Sequence, residues 1–242
     1  MRVNAVIQAR AGSTRLPGKV LEPLGSLTVL EWVIRAARGA RLVDDVVVAT
    51  TVEAVDDAVA RAAEEAGALV VRGSEDDVLS RYLLAAEEHP CDAVVRLTSD
   101  CPMLDPEVID LVVSTWLGAP HLDYVSSVLV RTLPHGMDVE LATTDALHRA
   151  GAVATAHHRT HVTSAIYTDP EAFDVVGLVF APSAADLRIT LDTPEDLEAL
   201  RALVAVRGDG IAHRTEILRV MRAHPHIAQL NAQVVQKPLE AG

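Results

Sequence analysis

Aromatic residues are nearly missing from this chain. Two tryptophans, three tyrosines and two phenylalanines make up 3% of 242 residues, although half of all residues are hydrophobic. Ala, Val and Leu must therefore fill a sizeable core. Cations are also short, with 21 Lys and Arg against 34 Asp and Glu and a formal net charge of −13. Such a balance argues against a nucleic-acid partner, because neutralising phosphates needs a basic surface. No stretch approaches the roughly 18 to 20 apolar residues of a membrane span. The two cysteines, Cys91 and Cys101, lack zinc-site spacing and fit reduced thiols of a cytoplasmic protein better than a disulfide framework. The chain enters a core strand at Val3, which leaves no room for a removable signal peptide. There is no internal repeat and no low-complexity linker, so a single domain over 1–242 is expected.

The common phosphate and metal signatures are missing as well. A Walker A loop needs four residues between its first Gly and the Gly-Lys, then Ser or Thr. Here five residues separate Gly12 from Gly18, and Val20 follows Lys19. No G-x-G-x-x-G occurs. His157 and His161 stand four apart, but His158 takes the place of the glutamate in H-E-x-x-H. What the chain does have is Gln8-Ala9-Arg10-Ala11-Gly12-Ser13-Thr14-Arg15-Leu16-Pro17-Gly18-Lys19, directly after an apolar, β-branched run over 3–7 that reads as a buried strand. This segment carries three cations and no acid in an acidic chain. Backbone N–H groups freed by glycine, with Arg10, Arg15 and Lys19 at the carboxyl end of a first strand, make a polyphosphate cradle. A turn with surface charges is the competing reading.

Hydrophobic periodicity predicts strands over 3–7, 46–49, 69–71 and 93–97, alternating with helices over 27–38, 52–66, 76–88 and 106–116. This alternation predicts an α/β fold with a Rossmann-like, mostly parallel sheet. After Leu122 the rhythm changes. Segments 124–130 and 138–141 read as strands around a Pro134-His135-Gly136 bend, and 144–150 as a helix before a His-rich stretch. An apolar run over 173–180, a short strand over 188–191 and helices over 194–206 and 214–223 follow. A β-rich insertion in the second half, at about 120–180, is therefore expected.

Ligands of open α/β sheets sit at the carboxyl ends of strands where strand order reverses, which puts the 8–19 loop beside the turn after the fourth strand. Asp100 in that turn suits Mg²⁺, which takes one or two carboxylates plus phosphates and waters; a turn cap is the alternative. Asp192 precedes Thr193-Pro194-Glu195-Asp196, a strong helix start, so capping by Asp192 or Thr193 competes with a ligand role. Thr50, Thr51 and Ser74 follow the second and third strands and are candidates for reading a base. Arg72 or Arg81 could reach the nucleotide, although an exposed helix arginine is usually only solvated.

The 8–19 loop resembles the signature of cytidylyltransferases, in particular the group of spore coat polysaccharide biosynthesis protein F, related to the CMP-Kdo and acylneuraminate cytidylyltransferases. Further similar stretches follow in order. They are Val94-Val95-Arg96-Leu97-Thr98-Ser99-Asp100-Cys101-Pro102, Leu133-Pro134-His135-Gly136-Met137-Asp138-Val139-Glu140 and His161-Val162-Thr163. Leu191-Asp192-Thr193-Pro194-Glu195-Asp196-Leu197-Glu198, then His224-Pro225 through Asn231, and Gln236-Lys237 complete the series. The resemblance implies transfer of CMP from CTP to a sugar acid, sugar or other small acidic acceptor, with Mg²⁺ as cofactor and pyrophosphate released.

Carried onto this chain, the resemblance implies that Ala9, Arg10, Gly12, Ser13, Arg15 and Lys19 bind nucleotide; Thr50 and Ser74 are added to that site from their position alone. It implies catalytic roles for Arg15, Lys19 and Asp100, with Asp100 and Asp192 holding the metal. His135, Asp138 and Glu140 fall where acceptor and dimer contacts are expected. His161, from a second polar cluster with His157, His158 and Arg159, is assigned to the acceptor. A homodimer pairing through 124–141 is expected. The arginine that a sugar acid's carboxylate calls for is not identifiable in the sequence.

Three other readings compete. A nucleotidyltransferase for another base usually opens on Gly-Gly, where this chain has Gln8-Ala9-Arg10. A glycosyltransferase-like protein needs a D-x-D pair, where Asp100-Cys101-Pro102 stands. A regulatory module that has lost catalysis should lack the carboxylate or the lysine, and both are present.

Overall fold

The computed structural model describes residues 1–13, 15–155 and 157–235; Thr14 of the loop and the Gln236-Lys237 motif lie outside them. In chain order the elements begin with β1 (Val3–Gln8), a hairpin of β2 (Pro23–Leu24) and β3 (Leu27–Thr28), α1 (Val29–Gly39), β4 (Asp45–Thr51) and α2 (Asp57–Glu65). Next come β5 (Leu69–Gly73), α3 (Val78–Glu88), β6 (Ala93–Thr98), α4 (Pro106–Gly118), β7 (Tyr124–Ser126) and β8 (Glu140–Thr143). The chain continues through α5 (Thr144–Val153), α6 (His157–Thr160), α7 (Ser164–Tyr167) and β9 (Val175–Gly177). It closes with α8 (Pro194–Arg207), α9 (Arg214–Ala223) and α10 (Pro225–Leu230).

Seven strands form one sheet in the order β5-β4-β1-β6-β8-β7-β9. The β5-β4-β1-β6 half is parallel, β8 runs antiparallel to both β6 and β7, and β9 is parallel to β7. Strand order reverses between β4 and β6, on either side of β1, so a crevice opens where Gln8 registers with Thr98. The pleat divides the core. Val3, Ala5 and Ile7 join Trp32, Ile34 and Ile109 on one face, while Val6 joins Leu79, Tyr82 and Leu147 on the other. Fully buried Ala and Val on strands covered on both faces explain how a core so poor in aromatics still closes.

Several expected boundaries move, each for a local reason. Leu27 pairs with Leu24 in the hairpin, so α1 starts at Val29 behind a Thr28–Glu31 capping box. The helix expected from 52 starts at Asp57, after a turn that directs Asp56 inward. The strand expected over 124–130 stops at Ser126, whose hydroxyl accepts from Val128 N–H at 3.0 Å and starts a turn. The next strand runs Glu140–Thr143, not 138–141, because Glu140 registers against Arg96. Segment 188–191 makes one isolated bridge, His135 to Arg188, and no strand. The β-rich second half takes the form of three strands added to the main sheet, with the helices α5 to α7 between them. Among the described residues no helix is long and apolar enough to cross a membrane.

Candidate active site

The loop after β1 is pinned from two sides. Ala11 N–H donates to Asp56 Oδ1 at 2.6 Å, and Gly18 N–H donates to the Ala11 carbonyl at 2.9 Å. Asp56 is buried and also accepts from the Thr51 hydroxyl. Gly18 has φ 71°, which glycine adopts without strain. The following turn, Lys19–Leu21, buries Val20 and so fixes where Lys19 leaves the backbone.

Lys19 reaches the seam between the ends of β6 and α8. Its Nζ lies 3.0 Å from Asp100 Oδ2, 2.9 Å from Asp192 Oδ1 and 2.7 Å from the Leu191 carbonyl. Asp192 Oδ2 also meets Arg15 Nη2 at 3.1 Å and Arg188 Nη2 at 2.9 Å. Burial opposes the charge on Lys19, but the two carboxylates hold its pKa above the ordinary lysine value. Burial alone would raise Asp100; Lys19 and the Thr98 hydroxyl overcome it and hold the carboxyl at about 2. Thr193 takes the cap of α8, accepting from Asp196 N–H at 3.3 Å, which leaves the Asp192 carboxylate facing the cleft.

A cleft of about 520 Å³ opens over this seam, walled by Gln8, Ala9, Arg10, Gly12, Ser13, Arg15 and Lys19 on one side. Arg10 pairs with Glu75 at 3.2 Å on open surface. Arg81, across the cleft on α3, is 2% exposed, and burial lowers its pKa. Its Nε has no partner and its Nη1 reaches only the Ala49 carbonyl at 3.4 Å. Gly73 makes the room, since a Cβ there would stand 2.9 Å from Arg81 Cγ. Of the two readings open for Arg81, the structure excludes the solvated helix arginine and leaves a buried cation at the cleft.

The structure does not bring Thr50 or Ser74 to either cleft. The β4 pleat buries Thr50 completely, and Ser74 Oγ accepts from Asp77 N–H at 3.2 Å ahead of α3. Arg72 donates to the Thr51 and Glu53 carbonyls and pairs with Asp57 at 2.7 Å.

A second cleft, of about 630 Å³, adjoins the first through Gln8, Arg15, Thr98, Asp100, His161 and Asp192, which line both. It gathers His135, Asp138 and Glu140 from the second half together with Arg96, Arg131 and Tyr167. Glu140 is buried against Arg96 and accepts from the Tyr124 hydroxyl and from Thr163 Oγ1 at 2.7 Å. Burial would raise its pKa, but Arg96 and these donors keep it below the ordinary glutamate value. Arg131 grips Asp138 with both Nη atoms, at 2.8 and 3.1 Å. Burial and the nearby Arg131 lower the pKa of His135.

His161 stands at the junction of the clefts, outside the single turn of α6 that carries His157 and His158. His158 Nδ1 is hydrogen-bonded to Ser164 Oγ at 2.8 Å, and Arg159 pairs with Asp77, so neither lines a cleft. Buried Val162 holds φ 54°, a rare conformation for a β-branched residue, between His161 at the junction and Thr163 on Glu140. Among the described residues, one group of three ligating side chains could share a single ion: Asp105, Glu107 and His213. It lies outside both clefts. Asp105 there accepts from Glu107 N–H at 2.9 Å and Arg214 N–H at 2.6 Å as a helix cap.

The fold and a cation-lined crevice at the ends of β1 and β6 define a nucleotidyltransferase. The family is narrower: the cytidylyltransferase model matches residues 4–233, and the chain belongs to that family. It is 32% identical over 234 residues to the spore coat polysaccharide biosynthesis protein SpsF of Bacillus subtilis, covering 92% of this chain and 95% of that one. It is 32% identical over 242 residues to the 3-deoxy-manno-octulosonate cytidylyltransferase of Anaeromyxobacter sp. Fw109-5, covering 84% and 97%. The solved structure of a cytidylyltransferase from Leptospira borgpetersenii superposes with a TM-score of 0.91 at 32% identity, over 98% of this chain and 100% of that one.

Proposed function

We propose that this enzyme transfers CMP from CTP to a small acidic acceptor, such as a sugar acid, with release of pyrophosphate. One observation carries the reading: two clefts share a wall formed by Arg15, Asp100, His161 and Asp192. That is the arrangement a reaction needs when an acceptor oxygen from one cleft attacks the α-phosphorus of a nucleotide held in the other. Arg10, Arg15 and Lys19 hold the triphosphate, with the backbone around Gly12 and Ser13. Ala9 and Arg81 line the rest of the same cleft. His135, Asp138, Glu140 and His161 frame the acceptor, with Arg131 behind them holding Asp138 in place.

Asp100 and Asp192 hold Mg²⁺. Their oxygens already converge on one cation, Lys19 Nζ, and two carboxylates completed by phosphate and water are a donor set this ion accepts. When bound, the ion supplies positive charge to the phosphate oxygens as the α–β bond breaks. The two free thiols, Cys91 and Cys101, suit a cytoplasmic setting. The proteins with which this family pairs by sequence include enzymes named for a sugar acid, 3-deoxy-manno-octulosonate, which supports the acceptor class. The enzyme acts as a homodimer. In the expected 124–141 interface the strands themselves are internal, so the contact falls on Leu129 and Val130, 36% and 54% exposed, beside the outer strand β9.

The test is pyrophosphate release with CTP, UTP, ATP and GTP against sugar acids, sugar phosphates and phosphonates, beside calorimetry of the four nucleotides alone. A site that pairs with the cytosine amine leaves buried groups unpaired against uracil, so CTP should win by about 10²-fold or more. Equal or tighter binding of UTP or GTP would sink the cytidylyl reading. A mass near 26 kDa in light scattering at micromolar protein would remove the dimer.

A further inference from the structure

The sequence makes Asp196 look like an ordinary first-turn acid of α8, and its surroundings exceed that role. The residue is 0% exposed and accepts five hydrogen bonds. Oδ1 receives Arg188 Nε and Asn231 Nδ2, both at 2.8 Å. Oδ2 receives Arg188 Nη2 and the Asp192 backbone N–H, both at 2.9 Å, and the Thr193 N–H at 3.1 Å. A capping box uses only the last of these. The other four tie together two separate places: the segment before α8, at Arg188 and the backbone of Asp192, and the end of α10, where Asn231 is 2% exposed.

From this hub Arg188 reaches outward. The Nη2 that bonds Asp196 also bonds Asp192 Oδ2 at 2.9 Å. Asp192 is therefore held at its backbone by Asp196 directly and at its carboxylate by Asp196 through Arg188. The tether occupies Oδ2 and leaves Oδ1 to the seam, where it now meets Lys19. Asn231 adds a second brace, donating to the Arg188 carbonyl at 3.3 Å as well as to Asp196.

We infer that Asn231, Asp196 and Arg188 are positioning residues that set the orientation of the Asp192 carboxylate, so that α10 belongs functionally to the active site. The inference rests on the proposed metal role of Asp192. An oxygen held by a guanidinium cannot swing away, and the partner oxygen is then presented in one direction. Losing a support of this kind behind a metal-binding carboxylate costs roughly 10–100-fold in metal affinity or activity.

The experiment measures Mn²⁺ binding to the full-length protein with CTP present, by electron paramagnetic resonance and calorimetry, beside CTP binding without metal and the melting temperature. Asn231→Ala and Arg188→Lys should each weaken Mn²⁺ about tenfold or more. CTP affinity without metal should stay near wild type. In an Asp192→Asn background, Asn231→Ala should weaken Mn²⁺ no further, because the group it orients is gone. Asp196→Asn serves as a third variant if it folds. A role confined to folding would lower the melting temperature of Asn231→Ala and Arg188→Lys while leaving the Mn²⁺ affinity of the folded molecules unchanged, and that result overturns the inference. So does an undiminished effect of Asn231→Ala on top of Asp192→Asn. A wild-type protein that takes up CTP but no Mn²⁺ instead refutes the metal reading beneath it.

Discussion

The two clefts share a wall but hold their arginines and lysine in opposite ways. In the first cleft Lys19 and Arg15 rest on Asp100 and Asp192, Arg10 on a single exposed glutamate, and Arg81 on no carboxylate. In the proposed reading Lys19, Arg15 and Arg10 exchange their present partners for phosphate oxygens. In the second cleft Arg96 is locked to a buried glutamate that Tyr124 and Thr163 also grip, and Arg131 is bidentate to Asp138. Those arginines are neutralised in advance. On the proposed function, the first cleft takes on a large negative charge, and the second offers fixed shape and directed hydrogen bonds to a smaller ligand.

The largest effect expected from this contrast is at the exchangeable cations. Lys19→Ala should lower kcat/KM for CTP by about 10²-fold or more, the scale of losing a preorganised charge contact, ~3 kcal/mol. Asp100→Asn should collapse activity at least as far. Near-normal kcat/KM in either variant, by steady-state pyrophosphate release, would break the contrast at its stronger end.

The fixed side is tested through stability. Removing one partner of a buried pair strands the other, so Glu140→Leu should cost about 3 kcal/mol in urea unfolding. The double variant Arg96→Met/Glu140→Leu should recover part of that loss. A Glu140→Leu cost below about 1 kcal/mol would mean the pair is not a fixed floor.

Much of this architecture was legible in the sequence. The parallel half announced itself through apolar runs spaced by amphipathic helices, and the 8–19 loop through its cations. For Asp100, position at a strand end leaves a metal ligand and a turn cap both open, and only the family resemblance favours the ligand. The arginines of the second cleft were harder. Arg96 did leave a trace, a charge inside the apolar run Val94-Val95-Arg96-Leu97, but its partner lies 44 residues away and only the β6–β8 register brings them together. Arg81 stays open between a solvated and a nucleotide-reaching arginine because local periodicity cannot tell that Gly73 makes room for its side chain. Thr50 misled for the converse reason: a strand-end hydroxyl is visible in sequence, and the face it points to is not. Asn231 and Arg188 meet Asp196 from three separate segments, a convergence no linear pattern encodes.

A smaller effect concerns acid. Asp100 has a folded pKa of about 2, below its ordinary value of 3.8, so it stabilises the fold above about pH 4. That contribution, on the order of 2 kcal/mol, fades as pH falls from about 4 toward 2. Glu140 and Asp196 are shifted in the same direction and add to the same limb. Asp100→Asn should flatten part of this loss in urea titrations between pH 5 and 2.5. An unchanged slope would show that the Lys19–Asp100 contact is not linked to folding.

The smallest expected effect is the sharpest discriminator between the clefts. Arg131→Lys keeps the charge but not the fork, because an ammonium cannot reproduce two parallel contacts with Asp138. If the second cleft works through fixed direction, the acceptor's KM should rise about tenfold, ~1.4 kcal/mol, with kcat less affected. CTP affinity should be untouched, since Arg131 lines only the second cleft. The measurement pairs acceptor kinetics, using whichever acceptor the pyrophosphate-release screen identifies, with CTP calorimetry on the same preparation. A loss of CTP affinity equal to the loss at the acceptor would mean that the two clefts act as one continuous site, and the division of labour between exchangeable and fixed arginines would have to be abandoned.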